Sequence, residues 1–125
     1  MTGQELSQKI KSGDFCFDGD DFSGMDAQGM DFSGGMFTNN NFSGSDLTGA
    51  SFKDSIFLKC NLKDTLLSET NLKDAVFTQC DFENSDLRKL KNESTKFLQS
   101  SMIGADFSEN RFDGETFVEN NMTGT

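Results

Sequence analysis

Ser45-Asp46-Leu47-Thr48-Gly49-Ala50-Ser51-Phe52-Lys53-Asp54-Ser55-Ile56-Phe57-Leu58-Lys59 holds three copies of one five-residue pattern. Each copy has a small residue, a flank, a large apolar centre, a second flank and a closing residue. Working outward, the centre recurs at every fifth position from Phe17 to Met122, 22 positions without an insertion. Thirteen centres are Phe (17, 22, 32, 37, 42, 52, 57, 77, 82, 97, 107, 112, 117), five are Leu (47, 62, 67, 72, 87) and two are Met (102, 122). Only Ala27 and Asn92 break the run. A period of five matches neither the roughly 3.6-residue turn of a helix nor the alternation of one strand. It is the mark of a stacked repeat.

Two before the centre the residues are small, as at Gly35, Ser45, Ala50, Ser55, Cys60, Thr65, Ala75, Cys80 and Ser85. In extended backbone, residues two apart share a side, so the small residue and the centre point inward together. The Asp or Asn often found between them points outward. Gly recurs two after the centre, at 19, 24, 29, 34, 44, 49, 104, 114 and 124, and supplies the positive φ of the third position of a type II turn. A strand this short holds no core alone. Four such sides, with a turn at each corner, close a square coil of 20 residues, and successive coils pair as parallel strands about 4.8 Å apart. The 22 units make about 5.5 coils.

Ser45-Asp46-Leu47-Thr48-Gly49, Thr70-Asn71-Leu72-Lys73-Asp74 and Ala105-Asp106-Phe107-Ser108-Glu109 resemble the signature of pentapeptide-repeat proteins over about nine-tenths of the chain. The resemblance implies an all-β fold, a right-handed quadrilateral parallel β-helix. It implies no single function, since a fold does not carry one.

The 125 residues suit one domain, with a capping helix in residues 1–13 and the β-helix in 14–125. Thr2-Gly3-Gln4-Glu5 has capping-box spacing, Leu6 and Ile10 share a face, and Gly13 suits the stop, so a helix is expected over 2–13 as a lid on the first coil. Phe15, Met25 and Met30 are large for the small slot and Ala27 is small for a centre, which reads as volume exchange under that lid. Leu90-Lys91-Asn92 inverts the pattern, as a local bulge, swapped packing or a functional kink. Asn110, Glu115 and Asn120 fall in inward slots and predict a frayed or polar-capped last coil.

There is no His, Pro, Trp or Tyr, and no signal peptide or membrane span is read from the chain, so a cytoplasmic protein is expected, with translocation as an effector left open. Cys16, Cys60 and Cys80 form no metal pattern, and Cys60 and Cys80 read as a reduced pair filling small slots one coil apart. Asp18-Gly19-Asp20-Asp21-Phe22-Ser23-Gly24 resembles a calcium loop, but Phe22 stands where an oxygen ligand belongs. Asn41-Phe42-Ser43 is a glycosylation sequon that matters only after secretion. Without His, the usual general base of a triad is missing. Outward Asp26, Asp46, Asp86 and Asp106 could pair as catalytic carboxylates, but a convex rod offers no cleft to separate their pKa values. No enzyme, cofactor or metal is expected.

One side departs from polarity. Its centres, Phe17, Phe37, Phe57, Phe77, Phe97 and Phe117, form a core ladder, and its outward flanks include Met36, Ile56, Leu58, Val76, Leu98 and Val118. The flanks predict an exposed stripe of roughly 250 Å², set by sheet spacings, below the roughly 800 Å² per partner of a stable interface. It reads either as strand propensity or as a contact surface. Phe117 and Met122 mark a second candidate, a C-terminal end where a homodimer could join.

Net charge is −10, with −6 in residues 1–52, zero in 53–96 and −4 in 97–125. Direct nucleic-acid binding is disfavoured by that sign. Two readings follow: a non-enzymatic protein-interaction module of unknown partner, or an acidic DNA mimic that binds a type II topoisomerase, DNA gyrase. The resemblance supports the second because some members protect gyrase from quinolones. The neutral waist, with Lys53, Lys59, Lys63, Lys73, Arg88, Lys89, Lys91 and Lys96, opposes it.

Overall fold

A computed structural model describes residues 1–112 and 115–125, so Gly114 lies outside the described residues. Helix α1 (Gly3–Lys11) precedes six strands: β1 (Cys16–Asp18), β2 (Met36–Thr38), β3 (Ile56–Leu58), β4 (Val76–Thr78), β5 (Lys96–Leu98) and β6 (Thr116–Val118). They form one parallel sheet in chain order, each residue paired with the one 20 later, as Phe37 with Phe57. The other three sides pair through single bridges in the same register: Asp21 with Asn41, Asp26 with Asp46, and Asp31 with Ser51. The chain is a four-sided parallel β-solenoid of about five turns.

The centres fill the interior. Phe17, Phe37, Phe57, Phe77 and Phe97 are buried, and the ladder to Phe117 stacks with ring centroids 4.6–5.5 Å apart. That spacing follows from the backbone repeat and suits offset stacking. Small-slot residues with hydroxyls close the ladder from coil to coil. Ser55 donates to Phe32 O (3.2 Å) and Thr95 to Leu72 O (2.7 Å), each reaching the carbonyl 23 residues earlier.

Corners depart from the expectation in two ways. Positive φ occurs at the closing position, but among the described residues at thirteen non-glycines too, including Asp54 (59°), Lys59 (54°), Glu69 (62°) and Gln79 (53°). Such residues favour right-handed backbone by about 1–2 kcal/mol each. The stacked ladder, not the residue, imposes the turn. On three sides many corners carry the expected bond from residue i to i+3, as from Ser45 N to Phe42 O (3.1 Å) across Gly44. After β1–β5 no such bond is made among the described residues. After β1, β4 and β5 the next inward side chain takes over, as where Asn40 Oδ1 accepts from Asp20 N (2.8 Å) while its Nδ2 donates to Phe17 O (3.0 Å).

The lid forms, shorter than the expected 2–13. Thr2 is its N-cap, accepting from Glu5 N (3.1 Å), and Ser12 its C-cap. Leu6 is fully buried, and Ser7 Oγ donates to Asp31 O (2.7 Å). A Cβ on Gly3 would come within 2.6 Å of Ala27 Cβ, so the helix backbone rests directly on the coil. Ala27 is small because the helix occupies the space of a large centre. Phe15 is corrected: it is 44% exposed, since α1 sits over Ala27, Met30 and Asp31.

Leu90-Lys91-Asn92 forms neither bulge nor kink. Asn71 pairs with Lys91, and Lys91 N donates to Thr70 O (2.8 Å) in unbroken register. Leu90 is buried in the small slot and Asn92 half-buried at the centre. With its amide oriented to suit its surroundings, Asn92 donates to Glu115 Oε1 (2.8 Å) and Arg111 O (3.0 Å). Two anomalies, 23 residues apart, thus answer each other. Glu115 cannot donate to the carbonyl below as Ser or Thr would, and accepts from Asn92 instead.

Candidate functional site: the outer face of the six-stranded sheet

The outward side chains of β1–β6 stand in two columns. One runs Cys16, Met36, Ile56, Val76, Lys96, Thr116, and the other Asp18, Thr38, Leu58, Thr78, Leu98, Val118. Met36, Ile56 and Val118 are exposed, at 39%, 43% and 45%. Leu58, Val76 and Leu98 are half-buried between their cross-strand neighbours. Met36, Ile56, Leu58 and Val76 come together as one patch. Leu98 and Val118 form a second, set off by Thr78 and Lys96. Elsewhere Leu66 and Ile103 are isolated exposed apolar residues.

The second candidate is the C-terminal end. Phe107, Phe112, Phe117 and Met122, with Asp106, Ser108 and Thr125, line an open recess of about 460 Å³. Phe112 and Met122 are exposed and Phe117 is half-buried, the last rung of its ladder. Of the two expectations for the last coil, frayed or polar-capped, the hydrogen bonds of Asn110 and Asn120 favour the second. Asn120 accepts from Ser100 N (2.8 Å) and donates to Phe97 O (2.7 Å). Asn110 does the same for Leu90 N (2.7 Å) and Leu87 O (2.7 Å). These are clamps between coils, at corners where the amide would otherwise be unpaired. The 20-residue recurrence of residues 40, 100 and 120 was the available signal.

The acidic rows have a local job. Asp21, Asp31, Asp86 and Asp106 each accept the N–H two residues on, from Ser23, Ser33, Arg88 and Ser108. Side-chain bonds from those same residues, with the backbone bonds, hold all four carboxyls below the usual carboxylate range. Among the described residues no bridged column is continuously acidic. Asp26–Asp46–Leu66–Asp86–Asp106 is interrupted by Leu66, and Arg88 lies 2.9 Å from Asp86 and 3.9 Å from Asp106. Lys63 pairs with Asp81 and Glu83, Lys73 with Glu93, and Lys89 with Glu109, at 3.5–3.9 Å. Among the described residues, four of the eight waist cations therefore meet carboxylates.

The repeat, the four-sided register and the Phe ladder converge with a sequence comparison. A family model described as the pentapeptide repeat region matches residues 30–107. The chain belongs to the pentapeptide repeat family. Among solved structures, this pentapeptide repeat chain is similar to the protein Rfr23 of the cyanobacterium Cyanothece 51142, with 16% identity and a TM-score of 0.68, covering 94% of this chain and 97% of that one. It is also similar to a pentapeptide repeat protein of the Arabidopsis thaliana thylakoid lumen, with 28% identity and a TM-score of 0.53, covering 77% and 67%. QnrB1, a plasmid-mediated fluoroquinolone resistance protein, aligns at 24% identity and a TM-score of 0.47, covering 85% and 52%. No curated protein matches the chain. Among the described residues, no helix is long and apolar enough to cross a membrane.

Proposed function

We propose that this pentapeptide repeat chain is a non-enzymatic protein-interaction module that binds a protein partner through the outer face of β1–β6. The observation that carries this reading is the patch of Met36, Ile56, Leu58 and Val76, contiguous and without a core role. Leu98 and Val118 extend it along the rod. Desolvating such side chains returns about 25 cal/mol per Å². A rigid ladder beneath them costs little ordering on binding.

Catalysis finds little support, because outward Asp46, Asp86 and Asp106 accept N–H groups of their own turns and the chain has no His. The DNA-mimic reading draws on the net charge of −10. It is weakened by the broken acidic columns and by the ion-paired waist. A homodimer through Phe117 and Met122 is the rival geometry.

The test is Ile56→Asp with Leu58→Asp. Both side chains are outward, so the fold should survive, and light scattering and partner capture should show association lost. Leu66→Asp with Ile103→Asp, on other sides, should change neither. An assembly that persists in the first variant would move the contact elsewhere. Salt-sensitive inhibition of gyrase supercoiling by the wild type would support the mimic instead.

A further inference from the structure

The inward residues at 40, 60, 80, 100 and 120 share the corner that lacks an i to i+3 bond. Asn40, Ser100 and Asn120 accept the N–H of the residue 20 earlier at 2.8, 3.1 and 2.8 Å. Cys60 and Cys80 hold the two middle rungs. Both are buried, and their thiols donate only weakly, to Phe37 O (3.3 Å) and Phe57 O (3.5 Å).

The flanking register fixes their relation. Leu58 pairs with Thr78 and Asn61 with Asp81, so the two cysteines stand one coil apart, about 4.8 Å. Each thiol also reaches the carbonyl two residues earlier, Cys60 to Leu58 O (3.6 Å) and Cys80 to Thr78 O (3.5 Å), so the two sulfurs occupy equivalent places on successive rungs. Two metal–sulfur bonds of about 2.3 Å, end to end, span about 4.6 Å, close to that rung. A disulfide would draw the Cβ atoms to about 3.8 Å, well inside it. A linear sulfur–metal–sulfur bridge therefore fits the stacked coils with less displacement.

Ligand number selects the ion. Among the described residues no third His, Cys, Asp or Glu joins the pair. Structural zinc takes four ligands, and calcium and magnesium take oxygen. Soft thiolates favour Cu(I), which accepts two ligands in line.

We propose that Cys60 and Cys80 form a buried two-coordinate site for Cu(I), held linearly between adjacent coils. On binding, two S–H bonds break, two S–Cu bonds form and two protons leave to solvent; nothing is oxidised or reduced. The complex carries one negative charge. Cys16, exposed on β1, stands outside the site.

The test is anaerobic titration of the reduced full chain with Cu(I) against a competing chromophoric chelator, read also by native mass spectrometry and thermal melting. The expected result is one tightly held Cu(I) per chain with a raised melting temperature, retained in Cys16→Ser. Cys60→Ser and Cys80→Ser should each lose it while still melting cooperatively, because Ser100 already occupies the same column. No uptake by the folded chain, uptake lost in Cys16→Ser, or uptake retained by either single variant would each overturn the proposal.

Discussion

Phe77 shows how little each residue is free to vary. Its ring lies 4.6 Å from Phe57 and 5.2 Å from Phe97, both nearly parallel to it, and it is buried. Phe77→Ala leaves a cavity with no neighbour able to move in, because both rings are pinned by their own rungs. We expect a loss of about 3–5 kcal/mol, read from urea unfolding. Such centres were legible because the period of five sets direction as well as hydrophobicity. Asn40, Asn110 and Asn120 were not. Their value lies in the corner that leaves an amide unpaired, which no single repeat announces. Phe15 was misplaced because the helix's position over the first coil cannot be read from periodicity.

Elements reveal compensation that the pattern alone presents as error. Gly3 and Ala27 are small together because the helix rests on the coil there. Asn92 and Glu115 are polar together because each satisfies the other within the last turns. Asn92→Leu should restore a packed centre yet remove the partner of Glu115 Oε1, whose fellow oxygen Oε2 is already buried without a hydrogen bond. Glu115→Ala should relieve that burial and leave Asn92 with Arg111 O in place of its two acceptors. The double variant should exceed the sum of the singles in stability, by a coupling of about 0.5–3 kcal/mol in a denaturation cycle. Additive singles would mean that the pair is not formed. Sequence periodicity located both irregular positions, but the contact between them depends on the 23-residue offset of the coil.

At the scale of the whole molecule, charge follows the solenoid rather than a binding groove. Asp21, Asp31, Asp86 and Asp106 have folded pKa values depressed below 3.8 by their hydrogen bonds. Ionised carboxylates thus favour the folded chain above that pH, and their contribution is lost as pH falls through the lowered folded values. Melting temperature should decline below about pH 3.8, and less steeply in Asp31→Asn, whose amide oxygen still accepts from Ser33 without titrating. Four-sided architecture and ladder were readable before any coordinates, and so was the stripe's column register. Its division into two patches was not, because half-burial of Val76 and Leu98 depends on cross-strand neighbours.

The central claim, contact through the face of β1–β6, is tested most directly by a photo-crosslinking amino acid placed at Ile56, Leu66 or Met122 in the source cell. Ile56, Leu66 and Met122 are all exposed, so each probe reports its own surface. The account predicts a discrete protein adduct from position 56 and none from 66. Adducts from 122 or 66 alone, with none from 56, would contradict it.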